Sequence, residues 1–167
     1  SPMRLARVLA FTDPFASEVV LNAGWQLSNS LISIGQGGWL GVGLGNSFQK
    51  SFFLPEAHTD FIFAILVEEL GIIGGMILIA LFIILFIGLI SISFDSFKKG
   101  RLFQGYIVFG TFLLIAIQML FNIAVNIGLL PTKGLTLPFI SYGGTSIIIM
   151  LSLIGIVLRI NNENKLF

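Results

Sequence analysis

L-G-I-I-G-G-M-I-L-I-A-L-F-I-I-L-F-I-G-L-I-S-I-S, from Leu70 to Ser93, contains no charged side chain. A helix that crosses a bilayer needs about 20 such residues. The run shows no alternation of period two, which argues against a barrel strand. In lipid, a lone segment satisfies its backbone only as a helix. Outward from it lie two further runs of the same kind: Tyr106–Leu130, also uncharged, and the shorter Thr145–Ile160, with Arg159 at its end. The 167 residues are 56% hydrophobic and 10% charged, whereas soluble domains carry about 25% charged residues. The expected fold is an all-α polytopic membrane protein with three transmembrane helices and a large loop region ahead of them.

The short connections orient these spans. Lys98, Lys99 and Arg101 follow the first, and Arg159 and Lys165 close the third. Two spans separate these groups, so they share a side, and the excess of Lys and Arg places that side in the cytoplasm. The expected layout is an outer-face region 1–59 with amphipathic or re-entrant segments, a span at 60–94, a cytoplasmic loop at 95–104 and a span at 105–130. An outer loop at 131–142, a span at 143–160 and a cytoplasmic tail at 161–167 complete it. Cysteine is absent, which excludes disulfides and thiolate metal sites. With no basic block, nucleic acid is not an expected partner. The opening S-P-M-R-L-A-R is no signal peptide and reads as part of a longer chain.

Residues 17–47 are apolar yet rich in Gly and Ser, with six glycines between Gly35 and Gly45. Each weakens a helix by about 1 kcal/mol relative to Ala. The expectation is an interfacial or re-entrant segment ending in a tight glycine loop, with Trp25 and Trp39 at the interface. G-V-G-L-G lacks the strand–helix setting of a dinucleotide site, and no G-x-x-x-x-G-K-[ST] exists. Close backbone packing is the expected use of these glycines.

Polar residues beside or inside such spans need a partner or a task. Lys50–Phe63 holds the only histidine, His58, with Glu56 and Asp60. Glu68 and Glu69 sit just before the uncharged run, and the helix is expected to start near Thr59 or Asp60, either of which could cap it, with an acidic residue in the first turn complementing its dipole. Alternatively, the cluster carries chemistry. Gln118, Asn122 and Asn126 recur every four residues and share a helix face, suited either to interhelical hydrogen bonds or to a substrate. Lys133 stands alone in a loop of prolines and glycines, either snorkelling or binding an anion such as phosphate.

P-E-A-H-T-D-F-I-F-A-I-L-V-E-E-L-G (Pro55–Gly71) and L-P-T-K-G-L-T-L-P-F-I-S-Y-G-G-T-S (Leu130–Ser146) resemble the two signature stretches of the FtsW/RodA/SpoVE (SEDS) family of bacterial shape, division and sporulation proteins. V-L-A-F-T-D-P-F (Val8–Phe15) and S-L-I-S-I-G-Q-G-G-W-L-G-V-G-L-G-N-S (Ser30–Ser47) fit the same family in the same order. The resemblance covers almost the whole chain and is nearer the division member than the elongation member. It implies a parent of about ten spans, of which these are the last three.

The resemblance further implies a peptidoglycan glycosyltransferase that polymerises glycan strands from lipid II by an inverting transfer. It implies a division septum setting in the bacterial inner membrane, with the active site on the outer face. The family's essential outer-loop aspartate falls on Asp60, the implied general base. Glu56 and His58 would support it, and Lys133 or Lys50 would stabilise the departing pyrophosphate, with Ser141, Gly143 and Gly144 in the second signature. A divalent cation, Mg or Mn, could share that role. Glu56, His58 and Asp60 resemble a metal trio, but no further His or Cys exists to complete a zinc site. Implied partners are a class B penicillin-binding protein, a transpeptidase, and other division proteins. Two alternatives stand beside this: a lipid II transporter using the polar stripe, and a non-catalytic interaction module with Gly71, Gly74 and Gly75 as contacts.

Overall fold

The computed structural model describes residues 25–47, 60–131 and 134–166. Among them are four helices: α1 (Trp25–Gly37), α2 (Ile62–Lys98), α3 (Leu102–Asn126) and α4 (Gly144–Leu166). The last three are long and apolar enough to cross a membrane. α2 and α3 form an antiparallel hairpin, against which α1 and α4 pack. The core runs along the hairpin through Leu78, Phe82, Leu89, Val108, Ile115 and Met119, and α4 adds Met150, Val157 and Ile160. Other apolar side chains face outward, as the surface of a lipid-embedded bundle requires: Ile77, Leu81, Ile84 and Ile87 are each more than half exposed.

The two ends of the bundle differ in chemistry. At one end, Ser93 Oγ donates to the Gly105 carbonyl (2.9 Å) and closes the α2–α3 turn. Lys99 Nζ donates to the Asn164 carbonyl in the last turn of α4, a favourable place for a cation on the helix dipole. Asn164 Nδ2 donates to Ser96 Oγ (2.8 Å), and Gln104 Nε2 to Glu163 Oε2 (3.0 Å). The cationic loop and the C-terminal turn of α4 therefore lie together. Asp60 and the segment 134–143 lie at the opposite end, where α3 terminates at Asn126. There the Gly128 and Leu129 N–H groups bond back to the Val125 and Ala124 carbonyls, with Gly128 at φ 74°. This C-terminal cap turns the chain toward Pro131.

α2 is not continuous. At 37 residues it would be about 55 Å long, far beyond the roughly 30 Å hydrocarbon core. It breaks at Gly71, whose φ of 74° and ψ of −177° are not helical. The loop after α1 enters the gap. Val42 N–H bonds to the Glu68 carbonyl (2.9 Å) and Gly43 N–H to that of Glu69 (3.1 Å). Ile72 and Ile73 would reach those same carbonyls in an unbroken helix. They donate instead to Gly38 (2.9 Å) and Trp39 (3.4 Å). The loop thus supplies partners for the Glu68 and Glu69 carbonyls and for the Ile72 and Ile73 N–H groups. Such an approach leaves no room for side chains: a Cβ on Gly71 would stand 2.2 Å from the Trp39 carbonyl oxygen, and one on Gly41 2.2 Å from that of Glu69. Gly37 meets the Val67 carbonyl at 2.1 Å in the same way. The expected close packing is found, but within the chain. Gly71 abuts Gly41, Gly74 meets the Leu70 side chain, and Gly75 meets Val67 and Phe63.

Candidate active site around Asp60

α2 begins at Ile62, and its N-cap is Phe61, which makes no side-chain cap. Asp60 therefore stands one residue ahead of the cap position, which corrects the helix-cap expectation. Glu68 and Glu69 are likewise not in the first turn. Glu68 is buried, 1% exposed, and accepts a 2.6 Å hydrogen bond from Ser47 Oγ. The helix starts at Ile62, six residues before Glu68, and the break at Gly71 places the glutamates at the far end of a short helix, Ile62–Leu70.

The backbone at Asp60 is held by α3. Its carbonyl oxygen accepts from Asn122 Nδ2 and from Asn126 Nδ2, each at 3.0 Å. Asn126 Oδ1 accepts the Ala64 N–H (3.1 Å) in the first turn of α2, which fixes the orientation of that amide. Asn126 Nδ2 also bonds to the Asn122 carbonyl (2.9 Å), and Ser30 Oγ of α1 donates to the Asn126 carbonyl (2.9 Å). Both asparagines are buried, where an unpaired amide would cost about 1–3 kcal/mol.

The same stripe holds the segment after α3. Asn122 Nδ2 donates to the Leu135 carbonyl. Gln118 Nε2 donates to the Thr136 carbonyl (2.9 Å) and to Thr136 Oγ1 (3.1 Å). The donors of the i, i+4 amides thus reach backbone of the non-helical segments at Asp60 and 135–136, while Asn126 Oδ1 makes an interhelical bond to Ala64 of α2. The result is a close approach of two stretches far apart in sequence: a Cβ placed on Gly134 would stand 3.0 Å from Asp60 Oδ2. Beyond it, Leu137 N–H donates to the buried Ser141 Oγ (2.6 Å) and closes the turn before α4. The Gly143 carbonyl receives the Ile147 N–H (3.0 Å), and Gly144 starts the helix. The second signature is thereby folded through its own serine and glycines.

Lys50, Glu56, His58 and Lys133 lie outside the described residues. Asp60 is the described member of the Glu56–His58–Asp60 trio. Among the described residues, no three His, Cys, Asp or Glu side chains gather as a metal site would require. Ser47, its bond to Glu68 and the carbonyl partners of the stripe were not singled out from sequence. The i, i+4 spacing marked the stripe, but nothing local pointed to its acceptors.

The FtsW/RodA/SpoVE family profile, described as "Cell cycle protein", matches residues 1–166. The chain belongs to this family. It is 49% identical over 164 residues to a protein of Pseudomonas fluorescens named "Probable peptidoglycan glycosyltransferase FtsW". It is 52% identical over 162 residues to a protein of Hahella chejuensis with the same name. The alignments cover 98% and 97% of this chain, and 40% of each relative. The chain thus spans about two-fifths of the length of these curated relatives. A solved chain from work on the structural coordination of polymerization and crosslinking by a peptidoglycan synthase complex superposes with a TM-score of 0.73 at 28% identity. That match covers 98% of this chain and 43% of the other. The FtsW/RodA/SpoVE resemblance of the two signature stretches therefore extends through the chain and into the fold.

Proposed function

We propose that this chain carries the catalytic end of a peptidoglycan glycosyltransferase that extends glycan strands from lipid II in septal wall synthesis, with Asp60 as general base. One observation carries the reading: the Asp60 carboxylate is set beside Gly134 while its own backbone is clamped by two buried amides. A general base must lie within hydrogen-bond reach of the proton it takes, and a fixed backbone supplies the positioning this requires.

In the proposed reaction, a sugar hydroxyl of the acceptor lipid II attacks the anomeric carbon of the lipid-linked donor strand. The new C–O bond forms as the bond to pyrophosphate breaks. The hydroxyl proton passes to Asp60, and undecaprenyl pyrophosphate departs as an anion with inversion at the anomeric carbon. The leaving group needs cationic stabilisation, for which Lys133, the residue before Gly134, is the proposed source. A bound divalent ion would supply the same stabilisation. The site is proposed to face outward, opposite the cationic loop, and a class B penicillin-binding protein is the proposed partner. The stripe favours this over a transport path, because its amide donors bond to backbone carbonyls.

The test is Asp60→Asn in a full-length chain carrying this stretch, assayed for polymerisation of lipid II in liposomes. Loss of glycan product with normal insertion is expected. Unchanged product yield and length would overturn the assignment.

A further inference from the structure

We infer that Asn122 is a positioning residue for Asp60, an inference that rests on reading Asp60 as the base. One amide donates to the Asp60 carbonyl and to the Leu135 carbonyl. It thereby sets the separation between the carboxylate and the segment bearing Gly134.

Four observations carry this. First, Asp60 stands ahead of the N-cap Phe61, whose carbonyl takes the Ile65 N–H (3.3 Å) and which makes no side-chain cap. The bonds from α3 to the Asp60 carbonyl thus act one residue outside the helix, next to the carboxylate. Second, Asn122 is buried, 1% exposed, and its two amide hydrogens match two carbonyls on different segments. Third, Asn126 repeats the bond to the Asp60 carbonyl and is itself locked by the Ala64 N–H, so the clamp does not swivel. Fourth, Gln118 holds Thr136, the next residue of the opposite segment, in the same register.

The two asparagine amides reach Asp60 at its main-chain carbonyl rather than its carboxylate. These two bonds are thus indifferent to whether the carboxylate carries a proton. An apolar residue at 122 could fill the space, but it would take this donor from the Leu135 carbonyl and leave the Asp60 carbonyl with Asn126 alone.

The experiment compares Asn122→Leu, Asn122→Asp and Asp60→Asn in the full-length chain. It measures steady-state polymerisation of lipid II and hydrogen exchange in nanodiscs. Asn122→Leu keeps the side-chain size and removes both bonds. Its kcat is expected to fall about 100-fold, the scale for misplacement of a reacting group by about 1 Å, with KM within about twofold. Exchange is expected to rise at residues 134–137 and not along 102–118. Asn122→Asp, which keeps the shape and at most one of the two bonds, is expected to fall between Asn122→Leu and wild type. Asp60→Asn keeps the clamped carbonyl, so it is expected to be inactive with wild-type exchange at 134–137.

A folded Asn122→Leu with wild-type kcat overturns the inference, as does a defect confined to KM. Failure of both Asn122 variants to fold would assign the residue to stability and overturn it as well. Full activity of Asp60→Asn would instead overturn the reading of Asp60 as base, whatever Asn122 does.

Discussion

The carboxylate of Asp60 and the α-carbon of Gly134 are in such close approach that a methyl group at 134 would stand 3.0 Å from Oδ2. That is tighter than ordinary van der Waals contact, yet the neighbour is a side-chain tip that can yield by a few tenths of an ångström. Gly134→Ala is therefore expected to leave folding intact and to displace the proposed base. Polymerisation of lipid II should fall by about 10-fold to 100-fold, with the melting temperature in detergent unchanged. Wild-type turnover would show that the carboxylate does not work from this position.

Gly71 offers no such latitude. An L-residue at its φ costs roughly 1–2 kcal/mol, and its Cβ would meet the Trp39 carbonyl at 2.2 Å. Gly71→Ala is expected to expel the inserted loop and to destabilise by at least about 3 kcal/mol, since several backbone bonds are lost together. Thermal unfolding in detergent checks this. Gly88→Ala in the same helix, where nothing lies within 4 Å, should be neutral or stabilising by up to about 1 kcal/mol.

Ser47 and Glu68 are buried together. Ser47→Ala removes the hydroxyl that donates to the carboxylate and should cost about 1–3 kcal/mol. Glu68→Gln keeps an acceptor for that hydroxyl and should cost less than Glu68→Ala, which also opens a cavity. The order of melting temperatures decides this.

The charge distribution predicts which end faces the cytoplasm. Lys98 and Tyr142 lie at opposite ends of the bundle, and Tyr142 is 78% exposed. A membrane-impermeant maleimide applied to intact spheroplasts should label Tyr142→Cys and not Lys98→Cys. The reverse pattern would invert the proposed topology.

The three spans were legible because composition and length decide them: Leu70–Ser93 can do little else in lipid. Asp60 was legible as a residue worth attention, and the face shared by Gln118, Asn122 and Asn126 followed from the helical repeat. The partners of those amides were not legible, because they are backbone carbonyls and any residue supplies one. The identities of Leu135 and Asp60 carry no trace of the bonds their carbonyls accept. The burial of Glu68 against Ser47 was not legible for a related reason. Its helix was taken as unbroken from Asp60 onward, and a glycine in an apolar run does not announce that another loop completes the helix there. The signal lay in two places at once, in the glycines 35–45 and in Gly71, and only their contact gives it meaning.

The inserted loop also has a consequence for how the chain is made. Residues 38–43 leave the ribosome before Gly71 does, so the piece that completes the helix exists before the helix it completes. The carbonyls of Glu68 and Glu69 need never wait bare at the edge of the bilayer, because their donors, Val42 and Gly43, are already translated. Reversing that order, by a circular permutation that moves the loop behind α4, would ask an interrupted helix to enter the membrane with its gap unfilled.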